Sequence, residues 1–134
     1  MWKNVEHIGI AVKDLAASDS LFKTLFNQDK YKEEAVESEG VVTSFFQLGE
    51  TKIELLQGAK DSAIQKFIEK RGEGIHHIAF EVDDIYAEME RLKNEGFQLI
   101  NTEPKKGADN KLVCFVHPKS SNGVLVELCQ EIKD

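Results

Sequence analysis

The sequence predicts an α+β fold built from two tandem βαβββ modules, and three observations carry that prediction. The stretch from His7 to Leu15 recurs 70 residues later as His77 to Ile85, so the chain contains itself twice. A second pair of strings, Lys52-Ile53-Glu54-Leu55-Leu56-Gln57 and Leu125-Val126-Glu127-Leu128-Cys129-Gln130, repeats the end of the module. Each His stretch alternates with a period of two and then changes to helical spacing after an aspartate.

Residues Val5 to Val12 set Ile8, Ile10 and Val12 on one face of a strand and His7, Gly9 and Ala11 on the other. In the second copy Ile78, Phe80 and Val82 oppose His77, Ala79 and Glu81. Small neighbours leave room beside each imidazole. Asp14 and Asp84 are expected N-caps, followed by the apolar positions Leu15, Phe22, Leu25 and Phe26 in one helix and Ile85, Met89 and Leu92 in the other.

Module one (1–58) continues through strands at Val41 to Leu48 and Thr51 to Leu56, joined by a Gly49-Glu50 turn, with Glu54 facing away from Ile53 and Leu55. A connecting helix occupies the linker 59–72: Ser62-x-x-Gln65 has capping-box spacing, Lys70 and Arg71 lie in the last turn, and Gly72 stops it. Module two (73–134) contains the Ile75 strand, a helix closed by Asn94-Glu95-Gly96, and strands at Phe97 to Asn101 and Leu112 to Val116. A hairpin at Ser120 to Gly123 then leads into Val124 to Cys129. Neither module can bury its own helix and both sheet faces. The expected result is one domain, 1–134, in which a curved mixed sheet with pseudo-two-fold symmetry surrounds a cleft shared by the His and Glu faces.

A chain of 134 residues can bury about two thirds of its unfolded surface, and 41% hydrophobic with 31% charged residues suits a water-soluble domain. No signal-peptide or membrane-spanning pattern appears, so the expected compartment is the cytoplasm, with no membrane partner. The net charge of -7 argues against nucleic acid as a partner and leaves any anionic substrate to a local basic cluster. Cys114 and Cys129 form no CxxC motif and sit in apolar runs, as reduced structural thiols would.

His7, Glu54, His77 and Glu127 together offer two imidazoles and two carboxylates, enough for a divalent metal. Burying either glutamate charged and unpaired costs several kcal/mol, which coordination would remove; if both strands instead lay at sheet edges, the acids would face water. Without thiolate, the donor set suits Co, Ni, Mn, Fe(II) or Zn, and six-coordination would leave two positions open for substrate oxygens. His76 has the wrong strand parity and His117 opens a Pro118-containing loop, so both are weaker candidates.

At these residues the chain resembles the vicinal oxygen chelate superfamily, and within it the methylmalonyl-CoA epimerase family. The strings that carry the resemblance are Glu6 to Val12, Thr51 to Leu56, Gly72 to Ile85, and His117-Pro118-Lys119-Ser120 with Gly123 to Leu128, which together span nearly the whole chain. The resemblance implies the fold of paired βαβββ modules and metal ligands His7, His77 and Glu127, with Glu54 as a further ligand. It also implies Co2+ as the cofactor, with Mn2+, Ni2+ or Zn2+ as alternatives, an acyl-CoA substrate, and a homodimer in propionate metabolism. The implied activity is isomerisation of (2R)- and (2S)-methylmalonyl-CoA through an enolate. Glu127 is then the first catalytic base. Some epimerases have a second, non-ligand Glu where this chain has Thr43, so Glu54 is expected to be the catalytic acid/base for the opposite face. Lys105, Lys106, Lys111 and Lys119, around the loop from Glu103 to Lys111, are the nearest supply of cations for CoA phosphates.

Glyoxalase I is the alternative enzyme. An Fe(II) extradiol dioxygenase would need for oxygen the position that Glu54 fills. A metal-free drug-binding protein of the same fold would need no such His/Glu set.

Overall fold

The computed structural model describes residues 1–133. The chain forms strands β1 (Trp2–Ala11), β2 (Lys32–Val36), β3 (Val41–Leu48), β4 (Thr51–Gly58), β5 (Gly74–Val82), β6 (Lys105–Lys106), β7 (Lys111–Val116) and β8 (Val126–Glu131). The helices are α1 (Leu15–Phe26), α2 (Ala63–Arg71) and α3 (Ile85–Asn94). They fall into two compact units, His7–His76 and a second formed by Met1–Glu6 with the residues from His77 onward.

In the His7–His76 unit the strand order is β2-β3-β4-β1, with β1 and β4 parallel and the other neighbours antiparallel. The Ile53/Leu55 face packs under α1: Val12, Leu15, Phe46 and Leu55 form a buried cluster joined by Phe22 and Phe26. On the other face Ala11 and Leu56 meet Ile64 and Ile68 of α2. Ser62 caps α2 by accepting from the Gln65 N–H at 3.1 Å. The approach is close enough that a Cβ on Gly58 would fall 2.9 Å from that of Ile64, which excludes a larger residue there.

The second unit repeats this topology. Its order is β5-β8-β7-β6, with β5 and β8 parallel and β8, β7 and β6 antiparallel. Val82, Ile85, Met89, Leu92, Cys114, Val116 and Leu128 bury one sheet face against α3. Trp2 closes the cluster, its ring 5.2 Å from Phe80 and its indole N–H donating to Glu88. Hydrogen bonds from Arg91, and then from Trp2, hold the Glu88 carboxyl below the usual carboxylate range against the opposing cost of its burial.

Both helix starts are tied to the glutamate strands in one way. Asp14 and Asp84 cap the third helical N–H, of Ala17 and Ala87, as expected. The first N–H goes elsewhere: Gln57 Oε1 accepts from Leu15 N–H at 2.6 Å, and Gln130 Oε1 accepts from Ile85 N–H at 2.7 Å. Each glutamine thereby joins the helix after a His strand to the strand of the matching Glu. Gln130→Met should lower unfolding stability by about 1–2 kcal/mol in urea titration, because the buried Ile85 N–H loses its acceptor. Gln130→Glu, which keeps an oxygen there, should lose clearly less.

Three expectations need correction. Phe97 to Asn101 forms no strand, only an isolated bridge from Leu99 to Val116, and the edge strand of that module's sheet is the two-residue β6. The segment after Ser120 is a turn through Gly123, and β8 starts at Val126 rather than Val124. Leu25 is 69% exposed and does not join the apolar face of α1: at about 100° per residue it lies about 80° from the centre of the Phe22/Phe26 stripe.

Candidate active site

The strands set each His–Glu pair by the same register. Gly9, two residues after His7, lies opposite Glu54 in the parallel β1/β4 ladder. Ala79, two residues after His77, lies opposite Glu127 in the β5/β8 ladder. Because side chains alternate in a strand, the imidazole shares a face with its glutamate in both units. Gly9 and Ala79 present too little side chain to separate them.

His7 Nδ1 lies 3.1 Å from Glu54 Oε2, and His77 Nε2 lies 3.2 Å from Glu127 Oε1. All four residues are buried, the two glutamates at 4% and 5% exposure. Within their units β4 runs between β3 and β1, and β8 between β7 and β5, so the acids are not exposed on edge strands. Two ligands bound to one ion at about 2.1 Å, at a right angle, stand about 3 Å apart. Each pair therefore fits as half of an imidazole–carboxylate donor set, and the same separation suits an N–H···O bond between the two groups.

Thr43 is 1% exposed and lies on Glu54's face of β3, paired with Leu56. It presents a hydroxyl where an acid/base would need a carboxylate. His76 is half-buried and packs edge-on against Phe67 at 4.9 Å, whereas His117 Nδ1 accepts from the Lys119 N–H at 3.0 Å in a short turn. Of the candidate lysines, Lys105 and Lys106 form the edge strand β6, Lys111 opens β7 and Lys119 lies in the turn after it. The stretch expected to be a loop thus contains β6. The two cysteines are free and buried; burial pushes the Cys114 thiol up to about 11 and the Cys129 thiol further, in keeping with inert structural roles.

Sequence reasoning did not single out Phe45 and Phe115, the antiparallel partners of Glu54 and Glu127. The signal was present, since they too are 70 residues apart. Gln57 and Gln130 were visible only as the last letters of the repeated strings.

Residues 6–115 match the Glyoxalase/Bleomycin resistance protein/Dioxygenase superfamily. Among similar proteins, the mitochondrial methylmalonyl-CoA epimerase of Dictyostelium discoideum is 44% identical over 126 residues, covering 92% of this chain and 76% of the relative. The ethylmalonyl-CoA/methylmalonyl-CoA epimerase of Cereibacter sphaeroides is 42% identical over 129 residues, covering 94% and 96%. Among solved structures, a variant of the Streptomyces coelicolor methylmalonyl-CoA epimerase in complex with 2-nitronate-propionyl-CoA superposes with a TM-score of 0.94 at 31% identity, covering 98% of this chain and 96% of that one. With the repeated βαβββ topology and the matched residues in agreement, the chain belongs to the Glyoxalase/Bleomycin resistance protein/Dioxygenase superfamily.

Proposed function

We propose that this chain is an isomerase that interconverts (2R)- and (2S)-methylmalonyl-CoA. The observation that carries the proposal is the buried His–Glu pair held at the same register in both units, in a chain whose relatives bear the epimerase name. Those relatives favour the epimerase over the glyoxalase I alternative.

His7, Glu54, His77 and Glu127 are the residues assigned to hold one divalent cation, Co2+ first, with Mn2+, Ni2+ or Zn2+ as alternatives, the two modules acting as one domain. Support comes from the fit of each pair to metal-ligand spacing and from the cost of two buried acids without a cation. When bound, the cation supplies Lewis-acid stabilisation of enolate charge.

The C2 proton of the substrate lies between a thioester, which acidifies it, and a carboxylate, whose negative charge opposes a second anion beside it. Glu127 takes it on a carboxylate oxygen. The planar enolate then receives on its other face the proton of Glu54, which enters the step as the carboxylic acid and leaves it ionised while Glu127 leaves it protonated; the roles reverse for the opposite epimer. Burial of both carboxylates keeps bulk water from competing for the carbanion. Lys105, Lys106, Lys111 and Lys119 are assigned to the CoA phosphates. Among the described residues, no helix is long and apolar enough to cross a membrane. The cytoplasm, a role in propionate metabolism and a homodimer complete the reading, the dimer to be read as twice the chain mass in sedimentation.

Incubating the metal-loaded protein with (2R)-methylmalonyl-CoA in heavy water should place deuterium at C2 of both epimers. Absence of exchange with each of Co2+, Mn2+, Ni2+ and Zn2+ would sink the proposal.

A further inference from the structure

The two glutamates have matching aromatic partners, and only one of these is closed off. Phe45 stands opposite Glu54 and Phe115 opposite Glu127. Directly opposed residues of an antiparallel pair share a face, with Cβ atoms about 4.5–5.5 Å apart. Phe45 is 0% exposed; the Tyr31 ring lies 5.9 Å from it and the Lys32 ammonium sits over it at 4.7 Å. Phe115 is half-buried, its ring edge-on to His77 at 5.9 Å. Its backbone is fixed on both sides: Phe115 N–H donates to Asn101 Oδ1 at 2.9 Å, and its carbonyl accepts from Ile100 N–H at 2.8 Å.

A carboxylate that removes the C2 proton has the C2 substituent within a few ångströms of its oxygens, so this group must pack against a neighbour of Glu127. Ala79, Val113 and Cys129 are shut into a buried cluster. Phe115 flanks that cluster and is itself only half-buried. We propose that Phe115 is the specificity-determining residue of this site, a fixed wall that limits the size of the group on C2 of the malonyl-CoA substrate. The assignment rests on the proposed epimerase function and adds to it which residue reads the acyl group.

The test compares kcat/KM for methylmalonyl-CoA and ethylmalonyl-CoA in the metal-loaded wild type and in Phe115→Leu, Phe115→Ala and Leu125→Ala. Leu125 is the half-buried residue two positions before Glu127, just ahead of β8. One methylene is worth about 10-fold or more in a fitted pocket, so the ethyl-to-methyl ratio should rise about 10-fold in the Phe115 variants and stay near wild type in Leu125→Ala. Co2+ affinity, read by isothermal titration, should remain within about threefold of wild type on the same scale of pocket effects. Equal losses on both substrates would mean that Phe115 only seats His77, and a larger ratio change in Leu125→Ala would move the wall to that residue; either result overturns the assignment. A wild type that exchanges neither substrate defeats the epimerase reading itself, and the assignment falls with it.

Discussion

Glu127→Gln is expected to lower epimerisation by about 10²–10⁴-fold, the usual contribution of a positioned general base. The substitution keeps the side-chain length and an oxygen that can still face His77 Nε2, now 3.2 Å from the carboxylate. What it removes is the second oxygen and the capacity to accept a proton. Loss through misfolding is distinguishable, because Glu127 lies within the β5/β8 ladder, whose backbone bonds do not depend on the side chain. The measurement is deuterium incorporation from heavy water into each epimer separately, alongside metal content by elemental analysis. The epimer whose C2–H faces Glu127 should stop exchanging. If both epimers exchange at the wild-type rate with normal metal content, Glu127 is not the base.

The His–Glu pairs of the candidate site were more legible than the sheets around them. A strict period of two fixes the face of every strand residue, so His7 with Glu54 and His77 with Glu127 could be assigned to common faces, and the ladders bear this out through Gly9/Glu54 and Ala79/Glu127. Asp14, Asp84 and Ser62 were readable as caps because a short side chain before a helical pattern has one strong use, and each accepts the expected N–H. Polar edge strands gave no such signal. β2, Lys-Glu-Glu-Ala-Val, has no apolar alternation and takes its place at the sheet edge by pairing with β3. Phe97 and Ile100 produced the opposite error, reading as a strand although they remain 37% and 52% exposed. Composition cannot tell an apolar residue that lines a turn from one that enters a ladder.

The second large effect concerns Glu54. Glu54→Gln should preserve most metal binding, because an amide oxygen remains beside His7, while turnover to the opposite epimer falls by about 10²-fold or more. The physical reason lies in the geometry of epimerisation. A single acid/base can remove and return a proton on one face, which exchanges deuterium without inverting C2; inversion requires a proton donor on the other face. Thr43, buried on Glu54's own sheet face, has a hydroxyl far too weakly acidic for that work near neutral pH. The expected outcome for Glu54→Gln is therefore decoupling: one epimer continues to gain deuterium at C2 with retained configuration, and the other does not form. Glu127→Gln should show the mirror image, exchange surviving only in the opposite epimer. A Glu54→Gln enzyme with full epimerase turnover and normal metal content would separate ligand from acid at this position and return the second proton donor to some other residue. Thr43→Glu built on Glu54→Gln offers a direct check on the division of labour, since a carboxylate restored to that strand face should recover inversion if the missing function is a proton donor and leave it absent if Glu54 acts only through the metal.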